Sequence, residues 1–292
     1  VADLQRFQTI REDRPLPELM RVLAQSPEHA PLYFLLARVW AELFGGSVVA
    51  MRSLPVIFSL LGLPAMFALA QALFAKTFSE VASETYAMVA SKVVGQSATG
   101  LLAISPFFIA YSQEARPYSL WIFLLLSMTF CLWRALDTSR WQWWASYTVA
   151  AMLCLYTSLL TVLVILGQAV AVLLFHTKRW RPYVLSSTLA GVALLPWAWV
   201  VFNYWQKLQS NTAWMKTPAS IGENLGTWFY SLAVLFFDVP VAVNPIVFGL
   251  QVVMATATIG LIGYATFVLV RRAPRKVWSV VMAGALAIPL AL

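Results

Sequence analysis

The sequence predicts an all-α, polytopic membrane protein with about seven to eight transmembrane helices and additional helices on the outer membrane surface. The first observation is composition: hydrophobic residues make up 61% of the 292 residues and charged residues only 11%, which is far too apolar for a soluble domain. The second is a series of charge-free runs that reach or approach the roughly 20 residues needed to cross a bilayer. These runs must be helical, because lipid offers no partners for backbone polar groups.

Residues 1–47 form the predicted outer-side segment. Residues 18–24 predict a short helix. Residues 29–44 are apolar but contain Arg38 and Glu42, which favours an interfacial helix over a membrane span.

Residues 48–292 form the predicted transmembrane domain. Residues 141–177 carry no formal charge with histidine neutral, and this length suits two short spans with a turn near Thr157, or one long tilted helix. The chain starts at Val1 without a methionine and stops at Leu292 in an apolar run, so we interpret it as part of a longer protein, truncated at both ends. The other predicted spans are about 48–75, 88–110, 118–136, 183–206, 247–270 and 279–292.

The basic residues predict the orientation. The net charge of +8 comes from short clusters, at 178–181 and 271–276, that abut apolar runs. This is typical of cytoplasmic loops and excludes a nucleic-acid-binding surface. With both clusters inside, residues 141–177 must cross twice, and 225–245 must not cross fully. The segments that then lie outside are 1–47, the loop at about 111–117, and 207–245.

Glu114 and Arg116 lie two residues apart between two charge-free runs. Two interpretations are open. Charged side chains at helix ends commonly snorkel to the headgroups or pair locally. Alternatively, the carboxylate activates an acceptor while the guanidinium, whose planar fork matches phosphate oxygens, binds a phosphate. The spans contain almost no ionisable residues, which favours chemistry at the outer surface over conduction.

Two further polar groups fall on the outer side. Glu28-His29 directly precedes the interfacial helix and is either a solvated helix cap or a metal-binding or acid–base pair. Lys207 and Lys216 lie beside tryptophans; they either anchor the protein at the interface or bind a lipid phosphate.

Several short stretches then follow one another in a characteristic order and spacing. They are His29-Ala30-Pro31-Leu32-Tyr33-Phe34-Leu35-Leu36, Trp40, Phe44-Gly45, Arg52-Ser53-Leu54-Pro55, Ser105-Pro106-Phe107 and Tyr111-Ser112-Gln113-Glu114-Ala115-Arg116-Pro117-Tyr118-Ser119. In this order they resemble the polytopic GT-C glycosyltransferases, more narrowly the bacterial branch related to protein O-mannosyltransferases and the lipid A aminoarabinose transferase. The match covers the part of the chain from Pro15 to about Leu120.

The resemblance implies an enzyme of the bacterial inner membrane with its active site on the periplasmic side. Such enzymes transfer a sugar, usually with inversion, from a polyprenyl-phosphate donor in the surrounding membrane lipids to a protein, lipid or glycan acceptor. The family's first outer-loop acid, the catalytic base, falls at Asp3, and its second at Glu114. Arg116, Lys207 and Lys216 would hold the donor phosphate. Some relatives bind a divalent metal, for which Glu28 and His29 are candidates.

Two alternatives remain open at this stage. A lipid-linked glycan transporter or flippase needs polar residues along a path through the spans, for which Gln96, Thr161 and Gln168 are sparse. A catalytically inactive relative is suggested by Leu4, which stands where the family usually has glutamate.

Overall fold

The computed structural model describes residues 16–79, 83–213, 220, 222, 226 and 245–287. All regular secondary structure in these ranges is helical, which confirms the predicted all-α class. A single 3₁₀ turn, Thr177–Arg179, joins two of the helices. The α-helices are α1 (Leu16–Gln25), α2 (Leu32–Phe44), α3 (Val48–Ser79), α4 (Glu84–Ala103), α5 (Pro106–Ser112), α6 (Tyr118–Thr138), α7 (Trp141–Thr157), α8 (Thr161–Phe175), α9 (Trp180–Ala193), α10 (Leu195–Asn203), α11 (Trp205–Asn211), α12 (Pro245–Arg272) and α13 (Arg275–Ala287).

Three described helices are long and apolar enough to cross a membrane: Val48–Ala75 of α3, all of α6, and Ile246–Arg272 of α12. The number rises to five if two bent pairs each count as one span. In these pairs α4 and α5 meet at 63°, and α8 meets Thr177–Ala193 at 117°. The predicted seven to eight spans are not confirmed, because helices such as α7 and α8, with 17 and 15 residues, are shorter than the roughly 20 residues that a full crossing needs.

Proline accounts for two of the helix breaks. Pro106 begins α5, so α4 ends at Ala103, and the Ser105 hydroxyl caps the new helix by accepting a hydrogen bond from the Phe108 amide at 3.4 Å. Pro196 lies in the first turn of α10. Because a proline nitrogen has no hydrogen to donate, it disrupts a continuing helix but fits a first turn. The predicted span over about 183–206 is not confirmed as a single helix: this region forms α9, α10 and the start of α11.

A turn separates α7 from α8 at residues 158–160, close to the predicted position. The alternative of one long helix over 141–177 was therefore wrong. Thr161, at the start of α8, is fully buried. Its hydroxyl accepts a hydrogen bond from the Trp121 indole at 2.9 Å and donates one to the Cys154 carbonyl at 3.1 Å. These bonds fix the start of α8 against α6 and α7.

The core lies where the longer helices pack side by side. Helix α3 packs along α4 and α6, α6 along α7, α7 along α9, and α8 along α13. Gln168 of α8, 1% exposed, accepts a hydrogen bond from the Tyr147 hydroxyl of α7 at 2.9 Å. Helix α12 differs from the others, because its apolar window has no residue buried against the described part of the chain.

The alternating directions of α6, α7 and α8 define two ends of the bundle. One end, which we call the basic end, contains the α6–α7 turn at Ser139-Arg140, the α8–α9 turn at 176–179, and Lys276. There the Nε2–H of His176 donates to the Lys276 carbonyl at 3.3 Å. The opposite end, which we call the Glu114 end, contains the turns at 113–117 and 158–160.

The two short helices predicted near the start of the chain are confirmed as α1 and α2. Helix α2 ends at Phe44 because Gly45 adopts a φ of 84°, which is costly for residues with a Cβ atom. The Trp40 indole donates to the Ala50 carbonyl at 2.9 Å and lies 3.2 Å from the Ser53 hydroxyl. Helix α2 is thereby docked on the first turns of α3.

Candidate functional site

Glu114 and Arg116 lie on a five-residue turn, residues 113–117, that joins α5 to α6. Tyr111 closes this turn from one side: its ring meets the Tyr118 ring edge-on at 4.5 Å, and its carbonyl accepts a hydrogen bond from the Ser119 hydroxyl at 2.9 Å. The turn is therefore fixed at its base while residues 113–116 at its tip are exposed.

The two charged side chains of the turn face each other. The Arg116 Nε lies 3.5 Å from Glu114 Oε2, and the side chains are 65% and 47% exposed, respectively. An exposed ion pair of this kind is worth about 0–1 kcal/mol, so a ligand phosphate could displace the carboxylate from the guanidinium at little cost. Within the described residues, neither side chain forms an ion pair or side-chain hydrogen bond with Glu28, His29 or Lys207.

Glu28 is joined to a distant part of the chain that the sequence did not connect with it. The Asn211 side-chain amide, at the end of α11, lies 3.1 and 3.3 Å from the two Glu28 carboxylate oxygens and 3.4 Å from the Gln25 carbonyl. The two residues are separated by 183 positions. The segment between α1 and α2 therefore lies beside α11, the helix that also carries the exposed Lys207.

Lys207 was predicted to begin a polar loop, but it lies within the helix Trp205–Asn211. The candidates Asp3 and Lys216 lie outside the described residues, as do Leu4, Trp214 and most of the predicted outer segment 207–245. Among the predicted site residues in the described ranges, Glu114 lies beside Arg116, and Glu28 lies beside His29. Lys207 is four residues before Asn211, whose side chain binds Glu28.

Within the described residues, Glu28 and His29 are two candidate ligands for a divalent metal ion, and no third such ligand lies with them. Their nearest side-chain atoms, Oε1 and Nε2, are 4.0 Å apart, and an amide N–H is already directed at the carboxylate. No group of three or more His, Cys, Asp or Glu side chains that could hold a metal occurs within the described ranges.

Tyr33, in the first turn of α2, has a buried hydroxyl group. Its side chain is 1% exposed, and its hydroxyl has no hydrogen-bond partner within the described part of the chain. Burial raises the pKa of Tyr33 to about 12, because the charged phenolate is poorly solvated there. Tyr33 therefore stays protonated at neutral pH and offers a neutral hydroxyl.

Two cavities in the described structure lie away from the Glu114 turn. One, of about 440 Å³, is at the basic end. The other, of about 540 Å³, lies between α3, α4 and α6 and has Glu84 and Arg134 in its lining. Neither has Glu114 or Arg116 in its lining.

The contact between Glu28 and Asn211 can be tested by a double-mutant cycle. We expect Glu28→Ala and Asn211→Ala to be coupled by about 1 kcal/mol. This is less than the roughly 1.5–3 kcal/mol of hydrogen bonds to charged groups, because both residues are partly exposed to water. Thermal unfolding of the two single variants and the double variant measures this coupling. The control pair is Glu28→Ala with Gln209→Ala, because Gln209 is exposed on α11, the helix that contains Asn211. The effects of these two substitutions should be additive. Coupling of similar size in both pairs would contradict the contact.

Comparison of the chain with models of protein families, with curated proteins and with solved structures gave no match.

Proposed function

We propose that the chain is the membrane part of a GT-C-type glycosyltransferase, which transfers a sugar from a polyprenyl-phosphate donor to a protein, lipid or glycan acceptor. The observation that carries the proposal is the Glu114–Arg116 pair, an acid and a guanidinium exposed together on a short turn between α5 and the candidate span α6. The turn lies within the sequence stretches that resemble this family. We place it on the periplasmic side of a bacterial inner membrane, opposite the basic end.

Contacts between the resembling stretches add support. Trp40 and Ser53 belong to two different stretches, and their side chains lie 3.2 Å apart. Ser105, which begins a third stretch, caps α5, and the last stretch forms the closed turn described above. The residues that carry the resemblance thus fix helix junctions and the exposed turn, as expected if they serve one site.

The proposed reaction assigns a separate task to each charged group. The acceptor hydroxyl attacks the anomeric carbon, its proton passes to a carboxylate, and the bond between that carbon and the phosphate oxygen breaks. The leaving polyprenyl phosphate retains the electron pair and gains negative charge, which Arg116 with Lys207 and Lys216 would stabilise. Asp3 is the proposed base, and Glu114 orients the acceptor hydroxyl. No step is assigned to a metal ion.

The contacts of the buried polar side chains argue against the transport alternative. Gln168 and Thr161 are 1% and 0% exposed, and both are hydrogen-bonded to neighbouring helices. They act as packing contacts between α6, α7 and α8 rather than as the lining of an aqueous path. Gln96 is exposed on α4.

The proposal is tested by incubating the purified full-length protein in nanodiscs with a panel of polyprenyl-phosphate sugars. We expect release or transfer of at least one sugar, detected by mass spectrometry of the polyprenyl phosphate product. Movement of an intact donor across the membrane of proteoliposomes, without cleavage of the sugar–phosphate bond, would instead identify a transporter. Absence of both activities across the panel would favour the inactive relative that Leu4 suggests.

A further inference from the structure

The cavity at the basic end is separate from the proposed active site and has no part in the reaction described above. It has a volume of about 440 Å³, within the roughly 300–1,000 Å³ typical of small-molecule sites. Its lining comes from the end of α6, the turn between α8 and α9, and the start of α13.

The charge of the lining favours an anion. The lining has three cationic side chains, those of Lys178, Arg179 and Lys276, and one carboxylate, that of Asp137. The Asp137 side chain already interacts with another group of the protein. The two lysines are exposed and Arg179 is half-buried, so all three can reach a ligand that enters from solvent. Arg181 and Arg275 are close in sequence to residues of the lining. They add to the positive potential of this end of the bundle.

The cavity is held in shape by contacts that do not use these cations. The Trp133 indole donates to the Ala72 carbonyl of α3 at 2.9 Å, and its ring meets the His176 ring edge-on at 6.3 Å. The His176 Nε2–H donates in turn to the Lys276 backbone carbonyl. The walls are thus fixed to α3, α6 and α13, while the three cationic side chains remain free of ion pairs within the described residues.

The surroundings favour a lipid over a soluble anion. Leu173 and Leu174, in the last turn of α8 directly before the cavity, are 51% and 65% exposed, and the apolar wall includes Phe175 and Val277. Such a surface suits an acyl chain that continues from a phosphate in the cavity. Basic pockets between transmembrane helices on the cytoplasmic side commonly bind the headgroups of anionic lipids.

We propose that this cavity binds the phosphate of an anionic phospholipid in the leaflet at the basic end, with Lys178, Arg179 and Lys276 as the phosphate ligands and Leu173 and Leu174 against the acyl chains. The lipid is a structural ligand that ties α8 and α9 to α13. This role does not depend on the proposed glycosyltransferase activity.

The test uses the full-length protein in nanodiscs that contain phosphatidylcholine and phosphatidylglycerol in equal amounts. Native mass spectrometry measures which lipid stays bound, and we expect an enrichment of phosphatidylglycerol on the order of tenfold. The triple variant Lys178→Gln/Arg179→Gln/Lys276→Gln should reduce the enrichment to near one. The control triple variant Arg140→Gln/Arg271→Gln/Arg272→Gln removes the same charge near the same end, from residues outside the lining, and should keep it.

Two results would overturn the proposal. Equal loss of enrichment in both triple variants would mean that net charge, rather than the cavity, selects the lipid. Displacement of phosphatidylglycerol by millimolar inorganic phosphate would assign the cavity to a soluble phosphate. If the triple variant does not fold, as judged by circular dichroism, Lys178→Gln alone at the exposed position should lower the enrichment, and Lys178→Arg/Lys276→Arg should retain it.

Discussion

Replacement of Glu114 or Arg116 with alanine is expected to lower sugar transfer by about 100-fold or more while the protein stays folded. Loss of a positioned carboxylate usually costs about 10²- to 10⁴-fold, and loss of one donor that stabilises developing charge costs about 10²- to 10³-fold. Folding should be unaffected, because both side chains are exposed and their mutual ion pair is worth about 0–1 kcal/mol. Transfer rates with a polyprenyl-phosphate sugar, together with thermal unfolding, measure the two effects separately.

Arg140→Ala is the matched control for these variants, since Arg140 is an exposed charged residue at the basic end and lies outside the stretches that carry the resemblance. It should leave the transfer rate within about twofold of the unmodified protein. Arg116→Lys keeps the charge but loses the planar fork, so it should retain part of the activity that Arg116→Ala loses. Full activity in both alanine variants would remove this turn from the active site, even if the protein proved to be a glycosyltransferase.

Gly167→Ala is expected to cause a large loss of stability for a single added methyl group. A Cβ atom at Gly167 of α8 would lie 2.8 Å from the backbone carbonyl oxygen of Ala283 in α13. The obstacle is a helix backbone rather than a flexible side chain, so the two helices must separate. Overpacking of this kind costs about 1–3 kcal/mol, and we expect the unfolding midpoint to fall by several degrees.

Gly191→Ala is the matched control, because a Cβ at Gly191 in α9 has no atom within 4 Å apart from its chain neighbours and the nearby backbone of its own helix. Alanine has the higher helix propensity, by up to about 1 kcal/mol, so this variant should be neutral or more stable. Thermal unfolding of both variants in the same nanodiscs provides the comparison. A midpoint for Gly167→Ala equal to or above that of Gly191→Ala would contradict the close packing of α8 on α13.

Local sequence features predicted the all-α class, the charge-free runs around α3, α6 and α12, the turn after Thr157 and the short helices before Gly45. Each of these features depends on residues that are close in the sequence, for example a run without charged residues or a glycine. The bend at Pro106 and the division at Pro196 were not predicted, because a proline can kink a membrane helix or end it. Packing against neighbouring helices decides between these outcomes.

For the candidate site, only contacts between near neighbours in the sequence could be predicted. Glu114 and Arg116 are two residues apart, so their proximity could be read from the sequence. The Asn211 amide at Glu28 could not, because hydrophobic periodicity carries no information about a pairing across 183 positions. Tyr33 was part of a recognised stretch, but no local signal indicated that its hydroxyl would be buried without a partner.

The contact between Glu28 and Asn211 also determines when this region can assemble during synthesis. At about 5–20 residues per second, Asn211 leaves the ribosome roughly 10 to 40 seconds after Glu28. During that interval α3 to α10 emerge, while the segment that contains α1 and α2 lacks its partner on α11. The surface formed by Glu28 and α11 is therefore completed late, and a translational pause before residue 211 would prolong the exposure of α1 and α2 to proteases.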